Sequence, residues 1–167
     1  MGSVRTMGTV LALMLVGLTG LGQVQETEKA GRTSAKAEAV QYLYPEQLSV
    51  PAGKSTAVAL HFRIKQGLHI NAHQPKDEYL IPTVLSIPDS SGVRLESASY
   101  PAGTEFVLPV DPSTKLIVYT GEFAIEARIV ARPGDHMVEA KLRYQACDND
   151  ACLPPKTITV PIDVVGK

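Results

Sequence analysis

Apolar and polar residues alternate with a period of two along most of the chain after residue 40. Every second residue is apolar over residues 58–64, 138–146 and 158–164. This alternation is typical of antiparallel strands with one face in a core, and turn-forming Pro, Gly, Ser and Asp residues separate the runs. We predict about eight strands in an all-β, antiparallel β-sandwich. Because proline lacks the N–H that a ladder needs, Pro161 predicts that the last strand lies at an edge or is bulged there.

The first 22 residues have the features of a secretory signal peptide. Arg5 precedes an uncharged apolar run from Met7 to Leu21, and the small residues Gly20 and Gly22 stand at −3 and −1 relative to a cut before Gln23. A run of about 15 residues is short for a membrane span of about 20, and a retained anchor is the alternative. Residues 23–38 are polar and mixed in charge, which predicts a flexible leader. An exported chain meets an oxidising compartment, where cysteines form disulfides.

Composition narrows the class of protein further. The 16 basic and 17 acidic residues give a formal net charge of −1. With no basic excess, the chain lacks the charge that neutralises phosphates, so a nucleic-acid partner is not expected. The length of 167 residues fits one domain. The two cysteines cannot build a disulfide-dense scaffold, but they can form one bridge.

Both cysteines stand in the most informative segment of the chain, Tyr144–Pro155, which reads YQACDNDACLPP. Cys147 ends one predicted strand and Cys152 precedes the next, and we predict that the pair lies in the exposed turn between these strands. Such a hairpin can bring two sulfur atoms within bonding distance. Closing a loop of about six residues removes only about 2 kcal/mol of denatured-state entropy, so a bridge here is a weak staple. A structural disulfide and a redox-active one both remain open.

The charges around the pair indicate what kind of redox role it would have. Reactive thiols usually lie at a helix N-terminus or beside cations, whereas Asp148 and Asp150 lie between these two cysteines. Pro154 and the proline after it prevent a helix from following Cys152. Negative neighbours raise the pKa of a thiol. We therefore expect a reluctant nucleophile, which exchanges electrons when a partner brings an activated thiol or a disulfide.

A metal site is a further interpretation of the same residues. The two cysteines together with His69 and His73 would make a Cys2His2 set. The spacing of the cysteines is at the loose end of zinc patterns. The two histidines lie in a region predicted as strand and loop, where their spacing does not place them on one face. We therefore predict neither a metal nor a cofactor.

Several segments together resemble the N-terminal periplasmic domain of the thiol:disulfide interchange protein DsbD. They are Gly67–Ala72, Tyr79–Thr83, Tyr100–Gly103, Val118–Gly121 and Tyr144–Pro155. The resemblance covers almost all of the predicted domain, residues 39–167. It implies an immunoglobulin-like β-sandwich in the periplasm with a thiol–disulfide oxidoreductase activity. In that family the domain takes electrons from a thioredoxin-like domain. It passes them to periplasmic disulfide isomerases and other thioredoxin-fold proteins through transient mixed disulfides.

The resemblance also implies roles for individual residues. By position, Cys147 and Cys152 are the redox pair, and Cys152 forms the mixed disulfide with partners. The residues expected to support the pair are His69, Asn71, Tyr144, Gln145, Asp148, Asp150 and Pro154. The acidic ones would keep the thiols protonated. The family covers its disulfide with an aromatic-tipped cap loop, whose counterpart between Thr104 and Lys115 offers Phe106 and two prolines.

Two further expectations concern how the module is used. The sequence ends at Lys167, after the last predicted strand, so we expect neither the membrane-embedded nor the thioredoxin-like domain of full-length DsbD proteins. A separate membrane electron transporter or thioredoxin-like protein would then reduce the pair. The alternative function is a non-enzymatic, immunoglobulin-like binding module in which the disulfide is structural.

Overall fold

The computed structural model describes residues 38–43 and 47–167, and this part of the chain is all-β. The predicted signal peptide, 1–22, and residues 23–37 of the predicted leader lie outside the described residues. One three-residue 3-10 helix is present, Asp89–Ser91. No helix in these described ranges is long and apolar enough to cross a membrane. The strands are β1 (Val40–Leu43), β2 (Gln47–Val50), β3 (Thr56–Ile64), β4 (His69–Asn71), β5 (Val84–Ser86), β6 (Val93–Ser99), β7 (Thr104–Leu108), β8 (Asp111–Tyr119), β9 (Glu122–Ala131), β10 (Gly134–Tyr144), β11 (Ala146–Cys147) and β12 (Lys156–Gly166).

These strands form three four-stranded sheets. The strand order is β1-β3-β9-β6 in the first sheet, β2-β12-β10-β5 in the second and β11-β4-β8-β7 in the third. The pairings between described strands are antiparallel, apart from the parallel pairing of β2 with β12. The predicted immunoglobulin-like, antiparallel β-sandwich is confirmed. The parallel pair is an exception that alternation along single strands does not reveal.

The apolar faces of the sheets meet in one core, and the alternation identifies them. On β3 every second residue from Val58 to Ile64 is buried and those between are exposed. β10 and β12 repeat this pattern and pair residue by residue from Gly134 opposite Gly166 to Tyr144 opposite Lys156. Their buried side chains join those of β3 and β9 in a single cluster. Removal of this apolar surface from water, at roughly 25 cal/mol per Å², is the main force that holds the sandwich together.

Two sequence expectations need correction. The described strands number twelve rather than about eight, because β4, β5 and β11 have three residues or fewer and are too short to show a period of two. Pro161 lies in β12, which is an inner strand of its sheet and has a continuous register with β10. The structure accommodates this proline because β2 pairs only with Asp163–Gly166, beyond its position.

The third sheet adjoins one end of the sandwich and brings distant segments together there. β3 ends at this point, β10 runs into β11, and β8 turns back into β9. Gly67 in the turn before β4 has a φ of 82°, a conformation that glycine adopts without steric cost. The N–H of Leu68 donates to the carbonyl of Lys65 at 3.1 Å and closes the turn. β4 is thereby placed between β11 and β8.

Candidate active site

Cys147 and Cys152 are joined by a disulfide across a narrow hairpin. Their Cα atoms are 3.9 Å apart, and the two residues form a β-bridge. Just outside them, the N–H of Leu153 donates to the carbonyl of Ala146 at 2.8 Å. The cysteine hairpin predicted from the sequence is therefore present, and the disulfide joins directly opposed residues of it.

The turn of this disulfide hairpin is organised by Asp148. Its carboxylate accepts hydrogen bonds from the N–H groups of Asp150 and Ala151 at 2.9 and 2.8 Å. Its own N–H donates to the carbonyl of Ala151 at 3.0 Å. The backbone donors hold the pKa of Asp148 below its ordinary value. A carboxylate that stays ionised beside the sulfur atoms disfavours a second negative charge on a thiolate.

The two cysteines differ in their access to solvent. Cys147 is only 1 % exposed, whereas Cys152 is exposed. The sequence predicted both in an exposed turn, and this is wrong for Cys147, because β11 pairs with β4 and belongs to the third sheet. Of the two bonded cysteines, Cys152 is therefore the one that lies at the protein surface.

Asn71 ties the disulfide hairpin to β4. Its side chain is fully buried, and its Nδ2 donates to the carbonyl of Ile81 at 3.1 Å and to Oε1 of Gln145 at 3.4 Å. Gln145 in turn donates from Nε2 to the carbonyl of Leu153 at 3.2 Å, directly after the exposed cysteine. The backbone N–H of Asn71 also donates to the carbonyl of Gln145. This chain of hydrogen bonds holds both arms of the hairpin in place.

His69 lies directly opposite Cys147 in the ladder between β4 and β11. Its side chain is buried, and its ring lies against that of Phe106 with the ring centroids 4.2 Å apart. Burial lowers the pKa of His69, and the nearby Asp148 carboxylate partly offsets this. Phe106 comes from β7, in the hairpin that occupies the predicted cap stretch. It is half-buried and reaches the site through its contact with His69.

The remaining predicted site residues lie around the same hairpin. Tyr144 is buried at the end of β10; its hydroxyl lies near the backbone amides of Ala39 and Val40 without hydrogen-bond geometry. Tyr144 and the exposed Pro154 line a largely apolar groove of about 500 Å³ beside the disulfide. Asp150 is exposed in the turn. The structure thus brings the predicted residues together, while their roles in exchange stay predictions.

The two histidines of the metal interpretation do not converge. His73 stacks on Tyr100, with ring centroids 3.7 Å apart, and its Nδ1 lies 2.9 Å from the carbonyl oxygen of Thr83. His69 faces the disulfide instead. Within residues 38–43 and 47–167, no three His, Cys, Asp or Glu side chains are grouped as a metal site requires.

Some supporting contacts have no signature in the sequence. The carbonyl groups of Ile81 and Leu153 accept the hydrogen bonds that anchor Asn71 and Gln145, and any residue type supplies a carbonyl. Thr83 is buried and donates from Oγ1 to the carbonyl of Asn71 at 2.6 Å. Thr83 lies in the segment Tyr79–Thr83, which is one of the segments that carry the family resemblance. This position is the sequence signal that could have identified Thr83 as a supporting residue.

Comparison with known proteins gives one family match. The model of the family described as "Thiol:disulfide interchange protein DsbD, N-terminal" matches residues 39–163. Among solved structures, the reduced DsbD N-terminal domain of Neisseria meningitidis is 20 % identical, with a TM-score of 0.46 and coverage of 69 % of this chain and 82 % of that chain. The N-terminal periplasmic domain of ScsB from Proteus mirabilis is 14 % identical, with a TM-score of 0.49 and coverage of 74 % and 44 %. No curated protein matches significantly.

Proposed function

The chain belongs to the family of DsbD N-terminal domains, and we propose that it relays electrons between thioredoxin-fold proteins by opening and closing the Cys147–Cys152 disulfide. The observation that carries this proposal is the difference in burial between the two cysteines. A structural staple gains nothing from one exposed sulfur, whereas a redox pair needs one sulfur that a partner can reach. We further propose that residues 1–22 direct export and that the domain works in the periplasm.

The proposed exchange runs in two steps that balance in atoms and electrons. A thiolate of a reduced thioredoxin-like donor attacks the sulfur of Cys152, and the disulfide breaks with its electron pair on Cys147, which takes up a proton. The second donor thiol then attacks the mixed disulfide and releases Cys152 as a thiol. The donor leaves oxidised, and the two electrons remain on the dithiol. The same steps in reverse reduce the disulfide of an isomerase or another thioredoxin-fold acceptor.

The charges around the pair favour partner-dependent exchange over indiscriminate reaction. The carboxylate of Asp148, whose own pKa is lowered by backbone donors, would disfavour a second negative charge nearby, which supports thiols that stay protonated until a partner docks. Phe106 covers the buried side of the site through its contact with His69. The dithiol would therefore react slowly with small disulfides and faster with a partner that docks and excludes water. These features support a carrier of electrons rather than a general reductant.

Trapping of the mixed disulfide tests the proposal. Cys147→Ser leaves Cys152 free but removes the thiol that resolves the complex. Mixed with an oxidised thioredoxin-fold protein, this variant should accumulate a covalent heterodimer that dithiothreitol dissolves. Cys152→Ser is the matched control and should form little of it, because its remaining thiol is buried. Equal trapping by the two variants, or none by either, would instead favour a binding module with a structural disulfide.

A further inference from the structure

Release of an acceptor requires that Cys147 lose a proton. After Cys152 has attacked the acceptor's disulfide, the Cys147 thiol must become a thiolate to displace the acceptor. A buried thiol beside a carboxylate ionises poorly in water of neutral pH. We propose that His69 is the proton acceptor for Cys147 in this step, an inference that rests on the proposed electron relay.

The geometry that supports this is the register of β4 against β11. His69 and Cys147 are directly opposite residues of an antiparallel pair, so their side chains stand on the same face of the sheet as nearest neighbours. Both are almost completely buried, at 2 % and 1 % exposed. The Nε2 atom of His69 is buried and has no hydrogen-bond partner while the disulfide is closed. Buried ring nitrogens are rarely left unpaired, so a free one beside a sulfur that gains and loses a proton indicates a function.

The step transfers one proton and forms one bond. With the neutral ring protonated on Nδ1, the Nε2 lone pair takes the proton of the Cys147 thiol. The thiolate attacks the sulfur of Cys152, the new disulfide forms, and the bond from Cys152 to the acceptor's sulfur breaks with its electron pair on the acceptor. The acceptor's thiolate then takes a proton, and His69 returns to the neutral form.

The charged groups around His69 suit a transient imidazolium. Asp148 faces it from the disulfide turn, and Arg63, Lys65 and Glu122 line with it a cavity of about 540 Å³. Arg63 and Glu122 form an ion pair at 2.7 Å and largely offset each other. Burial keeps the ring neutral at rest, and the Asp148 carboxylate stabilises it once it is charged.

The neighbouring groups are poorer acceptors. The carboxylate of Asp148 is committed to two backbone donors, which lower its pKa and make it a weak base. Tyr144 has its pKa raised by burial, so its hydroxyl keeps its own proton at neutral pH. Gln145 and Asn71 do not titrate. His69 is therefore the group at the buried sulfur whose basicity fits a proton transfer near neutral pH.

The test measures how fast Cys147 displaces a group that is bound to Cys152 through a mixed disulfide. An aryl disulfide takes the place of a protein partner. Reduced full-length protein first reacts with 5,5′-dithiobis(2-nitrobenzoate) at Cys152, which releases one thionitrobenzoate and leaves the other bound to Cys152. Attack by Cys147 then releases the second thionitrobenzoate, which is seen as a separate rise in absorbance. We expect His69→Gln to slow this second step about 100-fold at pH 7. The wild-type rate should level off with rising pH as His69 loses its proton, whereas the variant's rate should keep rising with hydroxide. His136→Gln, far along β10, is the matched control and should behave as wild type.

A second variant separates proton transfer from a packing effect. In His69→Ala, imidazole added to the buffer should accelerate the second step in proportion to its concentration, with no effect on wild type. A His69→Gln rate within threefold of wild type with the same pH profile, or no response of His69→Ala to imidazole, would overturn the proposal. Because the assay contains no protein partner, failure of the electron relay itself would appear separately, as an absence of trapping by Cys147→Ser.

Discussion

The hairpin of β10 and β12 and the disulfide hairpin that follows β10 are adjacent in the chain, yet different forces stabilise them. β10 and β12 pair over eleven residues each and bury one continuous apolar face. The disulfide hairpin has a two-residue strand, β11, and is held by hydrogen bonds that Asn71 and Gln145 donate and that the carboxylate of Asp148 accepts. Apolar packing resists opening everywhere along a strand. A few polar contacts can instead hold one cysteine buried and leave the other exposed, which is the arrangement that the proposed exchange requires.

The largest effect on stability is expected in the core hairpin. Leu142 is fully buried on β10, and Leu142→Ala should lower the free energy of unfolding by about 2–5 kcal/mol through lost transfer energy and a residual cavity. Arg143→Ala, at the next and exposed position, is the control and should change it by less than about 0.5 kcal/mol. Urea unfolding measures both. Addition of Leu142→Ala to Cys147→Ser should leave the yield of the mixed disulfide at low temperature unchanged. A large change in this yield would show that the core hairpin and the disulfide hairpin are coupled.

The disulfide itself should contribute less to stability than one core leucine. In the double variant Cys147→Ala and Cys152→Ala, we expect a loss of about 2 kcal/mol, because the closed loop is short. Thiol–disulfide exchange should disappear completely. Urea unfolding and a thiol-exchange assay on the same preparation test this. If the chain no longer folds without the disulfide, the bridge is a structural staple. The disulfide would then contribute more to stability than a core leucine, contrary to the expectation above.

The sequence predicted these two regions to different extents. The alternation over residues 138–146 and 158–164 identified β10, β12 and their buried faces, because a period of two follows directly from the geometry of a half-buried strand. The cysteine hairpin was predicted from its turn residues. The burial of Cys147 was not predictable, because it depends on β4, a strand of three residues too short to show a period. The contact of Phe106 with His69 depends likewise on a distant pairing.

Loss of the Asn71 side chain should loosen the disulfide hairpin alone. Asn71→Ala leaves the carbonyl of Ile81 and the side chain of Gln145 without their buried donor, which costs about 1–2 kcal/mol. Hydrogen exchange should speed up at Cys147 and Leu153 and stay slow at Val160, in the middle of β12. Gln74→Ala, at an exposed position, is the control. Uniform acceleration over the whole chain would mean that the hairpin does not open independently.

Removal of the ring that covers His69 should have a smaller effect on stability and a distinct effect on reactivity. Phe106 is half-buried, so Phe106→Ala should lower the free energy of unfolding by about 1 kcal/mol. Reduction of the disulfide by dithiothreitol should become faster, because the buried side of the site, where Cys147 lies, becomes open to attack in addition to the exposed Cys152. Val107→Ala, the exposed neighbour on β7, is the control and should leave the rate unchanged. If dithiothreitol reduced Phe106→Ala and Val107→Ala at the same rate, Phe106 would not shield the disulfide.

The smallest effect, the pH dependence of stability, should arise in the site and not in the core. The pKa of His69 in the folded protein lies below its ordinary value of 6.5, because burial penalises the charged ring. As the pH falls, the unfolded chain therefore takes up this proton first. The contribution of neutral, buried His69 to the free energy of unfolding is fully present above about pH 6.5. Below this pH it declines, by at most about 1.4 kcal/mol per pH unit.

Urea unfolding of the oxidised protein between pH 5 and pH 8 measures this decline. His69→Gln should flatten the curve below pH 6.5 relative to wild type. If this variant kept the wild-type curve, the buried histidine would be protonated as readily in the fold as in the unfolded chain. Its ring would then not be a neutral base at rest. Since a core of apolar side chains has nothing to titrate, any pH dependence that His69→Gln removes belongs to the polar site, where Asn71, Gln145 and Asp148 take the place of apolar packing.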